Sequence, residues 1–102
     1  MQIKSKIQGN TMYVMLSGEL DEYTANYVRT SIDKLIDNGK FSKMILDLSE
    51  MDFMDSTGVG VLIGRYKKLK SRKISVYLYN PNSTIERIFR MSGIYEIMPK
   101  IS

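Results

Sequence analysis

The sequence predicts an α/β domain: a mixed sheet of about four to five strands with helices packed mainly on one face. Three observations predict it. Two short strand-like runs separated by a turn open the chain, and longer stretches at helical spacing then alternate with apolar runs of strand length. The length of 102 residues leaves room for one core, so a single domain over residues 1–102 is expected. Apolar residues at 43% and charged residues at 25% are ordinary globular usage, not the balance of a disordered chain.

Ile3 to Ile7 alternates weakly, Gly9-Asn10 reads as a turn, and Met12 to Leu16 is apolar, which together predict an opening hairpin. From Asp21 to Asn38, Tyr23, Tyr27, Val28, Ile32, Leu35 and Ile36 keep helical spacing, with Asp21 as N-cap and Asn38-Gly39 as the stop. Met44 to Leu48 is a buried strand by its apolar run. A second helix begins near Ser56 and carries Val59, Leu62, Ile63, Tyr66 and Leu69 inward. Ile74 to Tyr79 alternates in β-rich residues, Asn80-Pro81-Asn82 turns the chain, and Ile85, Ile88 and Phe89 mark a third helix ended by Ser92-Gly93. Ile94 to Met98 adds a short strand or a helical turn. Helix–strand alternation of this kind implies right-handed crossovers.

The chain holds no cysteine and no histidine. That removes disulfides, thiol nucleophiles, cysteine- or histidine-based zinc sites, histidine triads and imidazole acid–base chemistry, so a binding role is favoured over catalysis. No signal-like N-terminus and no apolar run of membrane-spanning length is present, and a cytoplasmic protein without membrane partners is expected. The net charge is +4, and six cations fall between Arg65 and Lys73. They read as cations at a helix C-terminus, where the dipole and the last carbonyls favour them. No aromatic-interleaved basic stripe accompanies them in sequence, so nucleic acid is not expected as a partner.

The densest unusual chemistry is Asp52-Phe53-Met54-Asp55-Ser56-Thr57-Gly58-Val59-Gly60, between a strand and a helix. The C-terminal ends of strands in α/β sheets open onto the loops where ligands and partners bind. Asp55, Ser56 and Thr57 are all good caps for that helix, and a serine there can simply satisfy an orphan amide. The same position would also receive an added phosphate well, because free N–H groups and the positive dipole end meet it. Gly58 and Gly60 keep side chains off that approach or pack the helix closely on the sheet; both readings use the same residues. Gly58 to Gly64 is one residue too long for a dinucleotide fingerprint and lacks a P-loop ending. Asp47, Glu50, Asp52 and Asp55 do not assemble an oxygen cage for a metal. Of Met51, Phe53 and Met54, at least two are expected in the core.

The run Phe53 to Lys67 resembles the STAS-domain anti-sigma factor antagonists of spore-forming and related bacteria. The resemblance extends through Leu16-Ser17-Gly18-Glu19-Leu20-Asp21 and Arg87-Ile88-Phe89-Arg90-Met91-Ser92-Gly93, nearly the whole chain. Gly64-Arg65-Tyr66-Lys67 is most similar to the sporulation branch, with the general-stress branch as the alternative. The resemblance implies a STAS fold and a monomer without a cofactor. Its partners would be an anti-sigma factor with serine kinase activity and a serine phosphatase. It implies phosphorylation of Ser56, with Thr57 as the neighbouring hydroxyl, and a partner-binding surface of Gly18, Glu19, Asp21, Asp55, Ser56, Thr57, Gly58, Val59 and Gly60. A phosphate adds about −1.5 to −2 charge, and beside Asp55 and Asp21 it would repel an acidic partner surface. A ligand- or nucleotide-sensing STAS module is the remaining reading.

Overall fold

A computed structural model describes residues 1–101. The strands are β1 (Gln2–Gln8), β2 (Thr11–Leu20), β3 (Lys43–Met54), β4 (Ser75–Tyr79) and β5 (Lys100–Ile101). The helices are α1 (Ala25–Asn38), α2 (Ser56–Ser71) and α3 (Ser83–Ser92), followed by a short 3-10 turn, Ile94–Glu96. The five strands form one sheet in the order β1-β2-β3-β4-β5, antiparallel between β1 and β2 and parallel from there on. The fold class is the expected one. Ile94 to Met98 supplies the helical-turn alternative, and the fifth strand lies just beyond it.

Strand alternation builds the core. Met12, Val14 and Leu16 of β2, Met44, Leu46 and Leu48 of β3, and Val76 and Leu78 of β4 point to one face and are buried. Val28, Ile32 and Ile36 of α1, Leu62 and Leu69 of α2, and Ile85 and Phe89 of α3 close over them. Phe89, fully buried, meets Tyr95 edge to face with centroids 5.7 Å apart. The opposite sheet face carries no helix. There Tyr13, Tyr77 and Tyr79 are half-buried, flanked by exposed Lys6 and Lys43.

Three boundaries differ from the sequence expectation. The hairpin turn is at Gly9-Asn10 as expected, but β2 runs on to Leu20 and β3 to Met54, so Asp52 to Met54 is strand rather than loop. Register shifts between Met15 and Ser17 and between Gly18 and Glu19 keep the two long strands paired. Helix α1 begins at Ala25, four residues after Asp21. Asp21 caps the preceding turn instead, its carboxylate accepting from Tyr23 N at 2.9 Å and Thr24 N at 3.2 Å.

The cations between Arg65 and Lys73 lie on the last turns of α2 and just past it. Half of them serve helix packing rather than the dipole. Arg65 pairs with Asp33 at 3.1 Å, Lys68 with Asp37 at 3.2 Å, and Arg72 with Asp37 at 2.6 Å, while Arg72 also donates to Ile36 O at 3.3 Å. Hydrogen bonding from Lys68, then from Arg72, holds the Asp37 carboxyl below its usual range despite some desolvation. No helix among the described residues is long and apolar enough to cross a membrane.

Candidate functional site

The site forms where β2 and β3 end and α2 begins. Asp55 has extended backbone and is the N-cap: its carboxylate accepts from Gly58 N at 3.0 Å. Ser56 is therefore not the cap. Its side chain and that of Thr57 are exposed and take no part in the hydrogen bonds of the described residues. The N–H groups of Ser56 and Thr57 lie in the first turn, where a helix offers no internal acceptor. Asp55 N donates to Leu20 O at 3.3 Å, which ties the Gly18 to Asp21 segment to the start of α2.

The two expected glycines do different jobs. A Cβ on Gly58 would stand 2.6 Å from Met54 Cγ and 2.7 Å from Leu20 O, so Gly58 lets α2 start hard against the ends of both strands. Gly58 and Val59 are buried in the free domain, with Val59 still lining the cleft beside Ser56. Gly60 faces open space, with no atom within 4 Å of a Cβ there. Gly18 adopts φ +105°, a conformation that favours glycine, and lets the strand change register before Glu19. Met51 and Met54 are buried and Phe53 is 41% exposed, in agreement with two of the three being core.

One component was missed from sequence. Beside Ser56 opens a cleft of about 360 Å³ lined by Asp55, Ser56, Val59, Ile88, Met91 and Ser92. Its far wall is α3. Asn82 places that helix: its side chain accepts from Ile85 N at 2.9 Å and donates to Met51 O at 3.0 Å, joining the cap of α3 to the end of β3. Met91 is 82% exposed. The signal was present, because Ile85, Ile88 and Phe89 form the inward stripe at helical spacing and leave Met91 off it. Tyr23, 86% exposed, stands in the turn after Asp21.

Glu19, Asp21, Glu22, Glu50, Asp52 and Asp55 all lie in the strand ends and loops around this site, which makes this end acidic although the chain as a whole is basic. No group of three or more acidic residues among the described residues is placed to hold a metal. The arrangement has an exposed hydroxyl and an adjoining apolar cleft, and it lacks a paired base to activate that hydroxyl.

The STAS domain family matches residues 2–102. The chain belongs to the STAS family. It is 35% identical over 99 residues to the anti-sigma F factor antagonist of Paenibacillus polymyxa, covering 97% of this chain and 85% of that one. It is 32% identical over 89 residues to the anti-sigma-B factor antagonist of Bacillus subtilis, covering 87% and 80%. The solved structure of the anti-sigma factor antagonist SpoIIAA in its unphosphorylated form superposes with a TM-score of 0.82 at 28% identity, covering 99% of this chain and 89% of that one. The phosphorylated form of the Bacillus SpoIIAA gives 0.74, covering 99% and 92%. The STAS domain here thus has the fold expected from sequence, and its relatives are named as regulators that antagonise anti-sigma factors.

Proposed function

We propose that this STAS domain is an anti-sigma factor antagonist that acts in the cytoplasm as a monomer and is switched by phosphorylation of Ser56. In the unphosphorylated form it docks on an anti-sigma factor that is also a serine kinase, so that the sigma factor is released. The observation that carries the reading is the Ser56 hydroxyl: Asp55 has taken over the capping role, so the hydroxyl stands exposed at the mouth of an apolar cleft. The relatives' names supply the class of partner. Similarity to both F-type and B-type antagonists leaves the sporulation reading first and general stress control as its alternative.

In this reading the kinase transfers the γ-phosphoryl group of its ATP to Ser56 Oγ. The γ-phosphorus to bridging-oxygen bond breaks, ADP leaves, and the hydroxyl proton passes to a base outside this chain. A serine phosphatase later returns the hydroxyl. The phosphate adds about −1.5 to −2 charge to an end already rich in carboxylates. It repels an acidic patch on the partner, and docking would also have to strip water from a dianion. A loss of about 3 kcal/mol weakens binding by more than a hundredfold.

The test is intact-mass spectrometry with peptide mapping after incubation with the kinase partner and Mg-ATP, run beside Ser56→Ala and Thr57→Ala. One phosphate on Ser56, absent from Ser56→Ala and kept by Thr57→Ala, is expected. Equal binding of the two forms to the anti-sigma factor would overturn the switch.

A further inference from the structure

The helix-free face of the sheet carries a feature that the phosphoserine site does not use. Two lysine ammonium groups sit over tyrosine rings on that face, Lys6 over Tyr13 at 5.7 Å and Lys43 over Tyr77 at 5.3 Å, and a third pair, Lys70 over Tyr66 at 5.9 Å, stands on α2 at the β4 edge. The sheet register joins the first two pairs into one band. Lys6 is opposite Tyr13, Tyr13 opposite Ile45, and Ile45 opposite Tyr77. Tyr77 then lines a cleft of about 370 Å³ at the β4 edge together with Tyr66, Lys70 and Lys73. From β1 to β4 the band crosses three strand spacings, about 14 Å.

None of Lys4, Lys6, Lys43, Lys70 and Lys73 has a carboxylate within ion-pair distance among the described residues, whereas Arg65, Lys68 and Arg72 on the covered side are all paired. One carboxylate, Asp47, lies on the face itself and lines a cleft with Lys4, Lys6 and Tyr13; it accepts hydrogen bonds from the Ser49 backbone and hydroxyl. A row of half-buried aromatic rings bordered by unpaired cations on an open sheet face matches two demands at once. Rings offer flat surfaces on which bases stack, and ammonium groups neutralise phosphates.

We infer that this face and the adjoining β4 edge bind single-stranded nucleic acid, with bases on Tyr13 and Tyr77 and phosphates on Lys6 and Lys43 of the face and Lys70 of the edge. The sequence expectation of no nucleic-acid partner rested on the lack of an interleaved stripe along the chain. Pairing across four strands assembles one from residues up to 71 positions apart. An acidic polypeptide would satisfy the lysines but leave the rings without stacking partners.

Fluorescence anisotropy of a labelled oligothymidylate dodecamer titrated with the full chain tests this. Saturable binding is expected, falling about twentyfold between about 50 and about 200 mM salt if three phosphates are neutralised. Lys43→Glu should weaken it at least about tenfold. Tyr13→Leu, which keeps the face covered but removes the ring, should weaken it at least about fivefold. Lys34→Glu makes the same charge change on α1, behind the sheet, and should leave binding within about twofold; melting curves check that each variant is folded. No saturable change at low salt overturns the inference. So does equal loss in Lys34→Glu, which would reduce the effect to net charge. Unchanged binding in Tyr13→Leu together with displacement by polyglutamate would assign the face to an acidic polypeptide instead. Ser56 is not in the band, so Ser56→Ala should bind the oligonucleotide normally whatever the fate of the phosphorylation reading.

Discussion

Gly58→Ala and Gly60→Ala make the same chemical change two residues apart in α2 and should move stability in opposite directions. A Cβ on Gly58 would meet Met54 Cγ at 2.6 Å, Leu20 O at 2.7 Å and Leu20 Cγ at 2.9 Å. The side-chain atoms have some freedom to yield, but the carbonyl belongs to the backbone of β2 and falls about 0.7 Å short of the ordinary 3.4 Å contact. The start of α2 must retreat, and the Asp55 N to Leu20 O hydrogen bond, already 3.3 Å long, breaks with it. Overpacking costs about 1–3 kcal/mol and the lost bond about 1 kcal/mol, against a helix-propensity gain of about 1 kcal/mol. The net is a destabilisation of about 2 kcal/mol, or a Tm about 10 °C lower for a domain of this size. At Gly60 nothing lies within 4 Å, so propensity acts alone and stability rises by up to about 1 kcal/mol. Urea and thermal melts followed by far-ultraviolet circular dichroism measure both. A Gly58→Ala protein that melts at or above the wild type would refute the close-packing argument, as would a Gly60→Ala protein that melts well below it.

Asp55→Ala removes the α2 cap and should cost about 1 kcal/mol in urea unfolding, leaving Gly58 N without its acceptor. Met91→Glu should lower affinity for the anti-sigma factor at least about tenfold by calorimetry, while its unfolding midpoint stays within about 0.5 kcal/mol of wild type, since Met91 is 82% exposed. Glu86 accepts from Tyr95 OH at 2.8 Å and pairs with Lys100 at 3.1 Å and Arg90 at 3.2 Å. Burial pushes its carboxyl up, but these partners outweigh burial and hold it below its ordinary value. A depressed carboxyl stabilises the fold above about pH 4.3, and that contribution is lost as pH falls through the folded value. Glu86→Gln should therefore be less stable than wild type at pH 7 by about 1–2 kcal/mol, with the gap closing toward pH 3. A gap that persists at pH 3 would show that packing, not charge, is at work.

The strands and helices were legible wherever one period held. Met44 to Leu48 reads as a strand because its apolar run is unbroken, and α2 could be placed from Val59, Leu62, Tyr66 and Leu69. The second half of β3 was not legible. Register shifts against β2 put the inward residues Met51 and Met54 three apart, which breaks the two-residue alternation that marks a strand. The start of α1 was misplaced because Asp21 caps a turn with the same side-chain geometry that caps a helix, and Thr24 then reaches back to Glu19 O at 2.9 Å to hold that turn. At the site, Ser56 and its acidic neighbours were visible as a local run. The α3 wall of the cleft was not: Met91 stands out as an apolar residue off the inward stripe, but its place beside Ser56 depends on how α3 packs on the end of β3 through Ile85, Phe89 and the Asn82 to Met51 link.

The strand order has a consequence for how this domain comes to exist. Every strand lies beside the one before it in sequence, from β1 through β5. No strand must wait, with its edge bare, for a partner made much later. The sheet can grow by one unit at a time as the chain is synthesised, first the hairpin and then each crossover laid onto the edge just formed. The exposed edge is handed forward at each step and ends at β4, where two residues of β5 close part of it. Beyond its backbone pairing with β4, that last closure is held by Glu86, whose contacts with Tyr95 and Lys100 fasten the 3-10 turn and β5 to α3. Weakening Glu86 should therefore accelerate unfolding while leaving the rate of folding almost untouched.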